Sequence, residues 1–379
     1  MSMLSRAMAI AHKETKELLR DKVYLGMAFA VPVVLLLLFG YGLSLDVKHL
    51  PIAFQDNDRS AISRDYIDSF VHSEYFDLIS TTDSAEEVER MFAAGRVRVV
   101  IDIPADFSRQ LTSLAPVSVG VTIDGSFPAR AGVIQAYVGA INAQYNASLL
   151  RDFVSDLGLG DAISSPVGVD MSYWYNPSLE SINMVVPGML VLILMLFPAI
   201  LGSLVVVREK EAGTIYNLYA CPARRWEILL GKALPYITVS FLDYLLIFAM
   251  SIWLFDVRFI GDFWVLSIAA LLYSICTVGI GLLFSVLVRT QLAAMLLTFL
   301  TTVTPAFNYS GFLSPVSSMD SVGQGIAYLI PATYFMEMVR GVYLKGLGFD
   351  YYWPALLTLA AYTVVIYSIS LLVFRKRVG

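Results

Sequence analysis

Six long stretches of the chain carry almost no charge. Residues 23–45, 182–207, 263–288, 290–313 and 355–374 contain none, and 233–255 contains only Asp243. A helix rises about 1.5 Å per residue, so roughly 20 residues cross a hydrocarbon core about 30 Å thick. Each stretch is long enough, and the pattern predicts six membrane-spanning helices. Soluble proteins keep a polar face on their helices and do not repeat uncharged runs of this length. No clear small-residue cleavage site follows the first run, which therefore reads as a retained anchor rather than a cleaved signal peptide.

The remaining segments follow other periods. In residues 1–22, Leu4, Ala7, Met8, Ala11 and Leu18 oppose His12, Lys13, Lys16 and Arg20, a helical spacing with a basic face suited to the membrane surface. Segment 46–181 alternates β-rich runs (52–54, 97–103, 117–123) with helical runs (60–71, 84–94, 105–114), which predicts an α/β domain. Ser84 and Glu87 have capping-box spacing. From 128 to about 157, Val133, Tyr137, Ile141, Tyr145, Leu149 and Phe153 mark one long amphipathic helix, a stalk leading back to the membrane. Segment 314–352 is too polar to cross and too apolar for a plain loop. It predicts short helices on the outer membrane surface or dipping partly into it, in which Glu337 and Arg340 have the spacing to pair.

Charge then orients the chain. The net charge is -5, yet 46–180 holds 19 acidic and 9 basic residues, so the rest sums to +5. With six spans both termini share a side. On that side lie Arg6, Lys13, Lys16, Arg20, Lys22, Arg208, Lys210, Arg224, Arg225, Lys232, Arg289, Arg375, Lys376 and Arg377, whereas the opposite short connections carry Arg258, Arg340 and Lys345. The positive-inside rule puts both ends in the cytosol and the acidic segment outside. The expected fold is an α-helical integral membrane protein with six transmembrane helices, plus an α/β extracytoplasmic domain inserted between helices 1 and 2. The five spans of 182–379 follow as one transmembrane domain.

Composition agrees, with 57% hydrophobic and 15% charged residues. The two cysteines, Cys221 and Cys276, provide no disulfide framework, and His12, His49 and His72 have no metal spacing. No hydrolase elbow or His-Glu-x-x-His occurs. Asp56 and Asp58 sit in a turn-like run and read as solvated. Asp243 lies at mid-span depth, where a charge costs at least about 2.5 kcal/mol. It is either a contact for a cationic substrate or proton, or a partner for nearby Tyr or Thr hydroxyls. The cytosolic loop 208–232 holds Arg208, Glu209, Lys210 and Glu211, then Gly213-Thr214, Leu218 and Cys221-Pro222. It is a rigid polar protrusion able to seat in a partner's groove, or else ordinary membrane-flanking charge.

That loop resembles the segment of ABC-2 type permeases that docks on the ATPase subunit. Three further places agree: Lys13-Glu14 with Arg20-Asp21 and Phe39-Gly40-Tyr41; Trp174-Tyr175-Asn176-Pro177 with Pro187-Gly188; and Ser310-Gly311-Phe312 with Pro331-Ala332-Thr333-Tyr334-Phe335 and Arg340-Gly341. The subgroup resembled has a large outer domain between spans one and two. The resemblance implies a permease of the bacterial inner membrane that pairs with an ABC ATPase subunit and a second permease subunit, identical or paralogous. It also leaves room for a periplasmic adaptor, and membrane lipid is the other partner; no nucleic acid is expected. Coupling would run through 208–222 and the N-terminal helix. The sequence has no Gly-x-x-x-x-Gly-Lys-Ser/Thr cradle, so ATP and Mg are expected on the partner and no catalytic residue or cofactor here. Two rivals remain: an ATPase-coupled mechanotransmitter without cargo, and a gradient-driven carrier.

Overall fold

The computed structural model describes residues 3–42, 49–82, 84–113, 115–125, 128–156, 180–220 and 223–374. It divides into two compact units, one of Met1–Ser44 with Tyr173–Gly379 and the other of Leu45–Ser172. The chain opens with α1 (Met3–Arg20), α2 (Lys22–Leu25), a π-helical turn (Gly26–Ala30) and α3 (Val31–Gly42). Asp21 separates α1 from α2 and caps the latter, its Oδ1 accepting from the amides of Val23 and Tyr24 at 3.2 and 3.3 Å. The π turn precedes Pro32, whose missing N–H removes one rung of the helical ladder.

The second unit comprises β1 (Leu50–Asp56), α4 (Ala61–Val71), β2 (Phe76–Thr82), α5 (Ala85–Ala93), β3 (Val99–Ile103), α6 (Phe107–Thr112), β4 (Gly120–Ile123) and α7 (Pro128–Asp156). Its sheet runs β2-β1-β3-β4, parallel except for β4. Alternate residues of β1 and β3 (Ile52, Phe54, Val99, Ile101) meet Tyr66, Phe70 and Phe107 and the Ile134–Tyr145 stripe of α7. The opposite face packs Ala53 and Val100 on Met91 of α5. Glu87 makes only half of the expected capping box: its amide donates to Ser84, but its carboxylate accepts from Thr82. Asp56 is buried rather than solvated. It accepts from the Ser63 hydroxyl and from the amides of Asp58 and Arg59, while Asp58 holds Ser108.

The first unit resumes with α8 (Ile182–Glu211), α9 (Ile215–Ala220), α10 (Arg225–Trp253), α11 (Phe263–Leu287), α12 (Gln291–Tyr309), α13 (Ser321–Tyr328), α14 (Pro331–Arg340) and α15 (Phe349–Val373). Six helices among the described residues are long and apolar enough to span a membrane: Lys22–Gly42, α8, α10, α11, α12 and α15. Helix α8 is the axis, touching α3, α10, α11, α12 and α14. Small residues let it approach α11 closely. A Cβ on Gly281 would lie 2.0 Å from the Ala199 carbonyl oxygen, and one on Gly202 would lie 2.7 Å from that of Val278. Such small-residue contacts suit lipid, where water supplies no drive for helix association. Helix α14 packs against α8. Its Phe335, Met338 and Val339 are fully buried in the core that α8 supplies. Arg340 does not pair with the exposed Glu337; it donates to the carbonyls of Gly311 and Phe312 at 2.6 and 3.0 Å and secures the turn after α12.

Candidate functional site

Helix α1 lies directly on the start of α10, and one residue permits it. A Cβ on Gly231 would meet the Ala7 carbonyl oxygen at 2.6 Å and the Ile10 Cβ at 2.9 Å. This approach buries Glu14 against Lys232. Lys232 is 1% exposed and uses all three ammonium donors, reaching Glu14 Oε2 at 2.8 Å, Glu209 Oε1 at 3.0 Å and the Val205 carbonyl at 3.3 Å. Tyr236 donates to the other Glu14 oxygen at 3.1 Å. A buried ion pair offsets its desolvation only when its donors and acceptors are matched in this way. One turn earlier, Glu227 accepts from the Arg224 amide at 2.8 Å and faces Arg6 at 3.8 Å, which places a carboxylate at the positive end of α10.

The last charged turn of α8 is a hub. Successive helical residues point about 100° apart, so four in a row face four directions. Arg208 turns to Asp21 at 3.3 Å and lies over the Tyr24 ring, with 5.6 Å to its centroid. Glu209 turns to Lys232 and, at 3.6 Å, to Lys13 of α1. Lys210 donates to the carbonyls of Ser285, Val286 and Val288 at 3.0, 2.5 and 3.0 Å, capping the end of α11. Glu211 accepts from the backbone and side chain of Gln291 at 3.0 and 2.9 Å, holding the start of α12. One helical turn thus ties the first span's entry, α1, α10, α11 and α12 together. Burial alone would lower the Lys13 ammonium, but Glu17, Glu209 and Glu14 outweigh it and hold it above its ordinary value.

A cleft of about 930 Å³ opens beside the hub, between α1 and the end of α8, and is lined by charges of both signs including Lys13, Glu17, Arg20 and Arg208. Past it the chain turns outward. Helix α8 stops at Ala212, and Gly213 takes the left-handed conformation (φ 73°) that glycine adopts without strain. Ala212, Gly213, Thr214 and Tyr216 are exposed. Of the candidate coupling residues, then, Arg208 through Glu211 turn to the protein's own elements, while Gly213 and Thr214 lie on an exposed edge, the Thr214 hydroxyl donating to the Glu209 carbonyl at 3.5 Å. Leu218 falls within α9; Cys221, Pro222, Trp174–Pro177 and the basic triplet 375–377 lie outside the described residues. Sequence reading missed the roles of Gly231, Lys232, Tyr236, Glu227 and Ser285. Lys232 and Glu14 stand 218 positions apart, so no local spacing connects them.

Asp243 is buried in α10, and its Oδ1 has no hydrogen-bond partner. The neighbouring hydroxyls are engaged elsewhere: Ser240 with Ser274 at 2.8 Å and Tyr244 with Ser267 at 3.0 Å.

The chain is similar along nearly its whole length to known transport proteins. The family model described as "ABC-2 family transporter protein" matches residues 22–372. "Probable multidrug ABC transporter permease YbhS" of Escherichia coli K12 is 32% identical over 90% of this chain and 89% of its own. YbhR, which carries the same description in that organism, is 27% identical over 99% of this chain and 100% of its own. "Inner membrane transport permease YhhJ", also from E. coli K12, is 27% identical over 97% and 96%. A family model spanning this much of the chain, a relative above 30% identity and six apolar helices agree: this chain is a multi-pass membrane protein of the ABC-2 transporter family, a permease by kinship.

Proposed function

We propose that this chain is the transmembrane subunit of an ATP-driven exporter of the bacterial inner membrane, moving an amphiphilic drug-like or lipid substrate outward. Both termini are then cytosolic, the α/β unit is an extracytoplasmic domain inserted between the first and second spans, and a second permease subunit completes the pore. ATP and Mg belong to a partner ABC ATPase. The α/β unit is where a periplasmic adaptor would dock. The observation that carries this reading is the hub at 208–211. A push on the exposed edge 212–216 is passed by rigid ion pairs and helix caps to the ends of five elements, which is what an ATP-driven device needs between motor and membrane helices. The multidrug descriptions of YbhS and YbhR support the substrate class.

The test is co-reconstitution with an ABC ATPase subunit that co-purifies with this chain, measuring ATP-dependent movement of a cationic fluorescent dye in vesicles. Tyr216→Asp, at the exposed edge, should lower stimulated hydrolysis about tenfold, a coupling loss of about 1.4 kcal/mol typical of one aromatic anchor. Wild-type hydrolysis without dye movement would favour the mechanotransmitter, and dye movement without ATP the carrier.

Asp243→Asn replaces the partnerless carboxyl by a neutral group of the same shape, and assembly and thermal stability should be unchanged. Reduced dye transport at unchanged assembly would place Asp243 on the substrate or proton path. Unchanged transport would remove it from the mechanism.

A further inference from the structure

A second cavity lies on the opposite face of α10 from the Lys232 cluster. It is a groove of about 470 Å³ between α10 and α15, floored by Ile275 of α11. Its α10 wall is Trp226, Leu230, Leu234 and Ile237, a helical stripe, and its α15 wall includes Val364, Tyr367 and Leu371. From Trp226 to Ile237 the helix rises about 16 Å, close to half of a hydrocarbon core about 30 Å thick. The groove therefore has the depth of one leaflet and begins at Trp226, in the first turn of α10.

One polar feature marks its end. Arg225 and Arg224 are exposed at the first turn of α10, beside Trp226, and Arg225 forms no ion pair among the described residues. A phospholipid matches both parts: an acyl chain for the apolar stripe and an anionic phosphate for the arginines.

We propose that the groove between α10 and α15 is a binding site for one anionic phospholipid of the leaflet on the Arg225 side, its headgroup phosphate at Arg224 and Arg225 and one acyl chain along Leu230, Leu234 and Ile237. The lipid braces the face of α10 that lies behind Gly231 and Lys232. This assignment needs only the six helices in a bilayer and is independent of whether the protein exports anything.

The test uses the full-length protein in nanodiscs containing phosphatidylglycerol or phosphatidylcholine, each with the same photoreactive diazirine in mid-chain. Adducts should concentrate on 230–237 and 364–371 and be about fivefold more abundant with phosphatidylglycerol for each arginine, since one basic residue near the surface contributes about 1 kcal/mol. Arg224→Gln with Arg225→Gln should bring the two lipids level. Leu234→Trp, at an already exposed position, should fill the groove and remove adducts of both. Labelling spread evenly over the lipid-facing helices, equal for both lipids and indifferent to Leu234→Trp, would reduce the groove to ordinary boundary lipid and overturn the proposal. So would displacement of the phosphatidylglycerol adducts by the cationic dye, which would make the groove a substrate site.

Discussion

Lys232→Ala is expected to destabilise the transmembrane unit by about 3–5 kcal/mol, the usual cost of leaving buried charge without its counterion. Two carboxylates, Glu14 and Glu209, depend on this ammonium; among the described residues Glu209 would keep Lys13 at 3.6 Å and Glu14 the Tyr236 hydroxyl. The alanine also forfeits the bond to the Val205 carbonyl inside α8. Thermal unfolding of the purified protein in detergent reads the loss directly. A double-mutant cycle on Glu14→Gln and Lys232→Met separates the pair from the side chain: the double variant should be less destabilised than the sum of the two single changes, because neutralising Glu14 removes one of the two stranded carboxylates and Glu209 keeps Lys13. An unaltered midpoint for Lys232→Ala would mean that the cluster is hydrated and carries no structural weight.

Gly231→Val should uncouple the protein without unfolding it. The added Cβ would stand 2.6 Å from the Ala7 carbonyl oxygen, and backbone cannot rotate away as a flexible side chain can. Helix α1 must lift from α10, and overpacking of this kind costs about 1–3 kcal/mol. The lift lengthens the Glu14–Lys232 contact and breaks the link between α1 and the hub while the spanning helices keep their packing. The expected result is normal membrane insertion, faster alkylation of a cysteine placed at Ile10, and stimulated ATP hydrolysis reduced about tenfold, which is about 1.4 kcal/mol of coupling. Normal stimulation with α1 displaced would exclude α1 from the transmission.

The spanning helices were legible because lipid imposes a composition on every residue of a span, so length and lack of charge suffice. The α/β unit was mostly legible for a similar reason: β1, β3 and β4 and the helices α4 to α7 each carry their own period. Strand β2 escaped because Asp77 to Ser80 of this edge strand show little alternation of burial, with Leu78 and Ile79 as exposed as the polar residues beside them. Asp56 was misread because a carboxylate beside Asn57 and Asp58 looks solvated until its turn folds onto Ser63. The stretch 208–222 stood out by its mixed charge and its resemblance, but its division into the end of α8, the turn at Gly213 and α9 did not. Lys210 and Glu211 find their partners 75 to 80 positions away, on α11, Val288 and Gln291, and nothing in a run of alternating charge says which members turn inward. The burial of Glu14 was not legible because α1 carries charge on most of its circumference. Only the glycine at 231 allows one of those charges to be buried.

Solvent-side labelling at Tyr216 tests the account most directly. Tyr216 is 59% exposed and lies one turn beyond the hub. With Cys221 and Cys276 replaced by serine, Tyr216→Cys should react with a membrane-impermeant maleimide only when the reagent reaches the cytosolic face. The ATPase partner should protect it, and protection should change when ATP is added. Labelling from the outer face, or a rate indifferent to the ATPase and to ATP, would contradict the account.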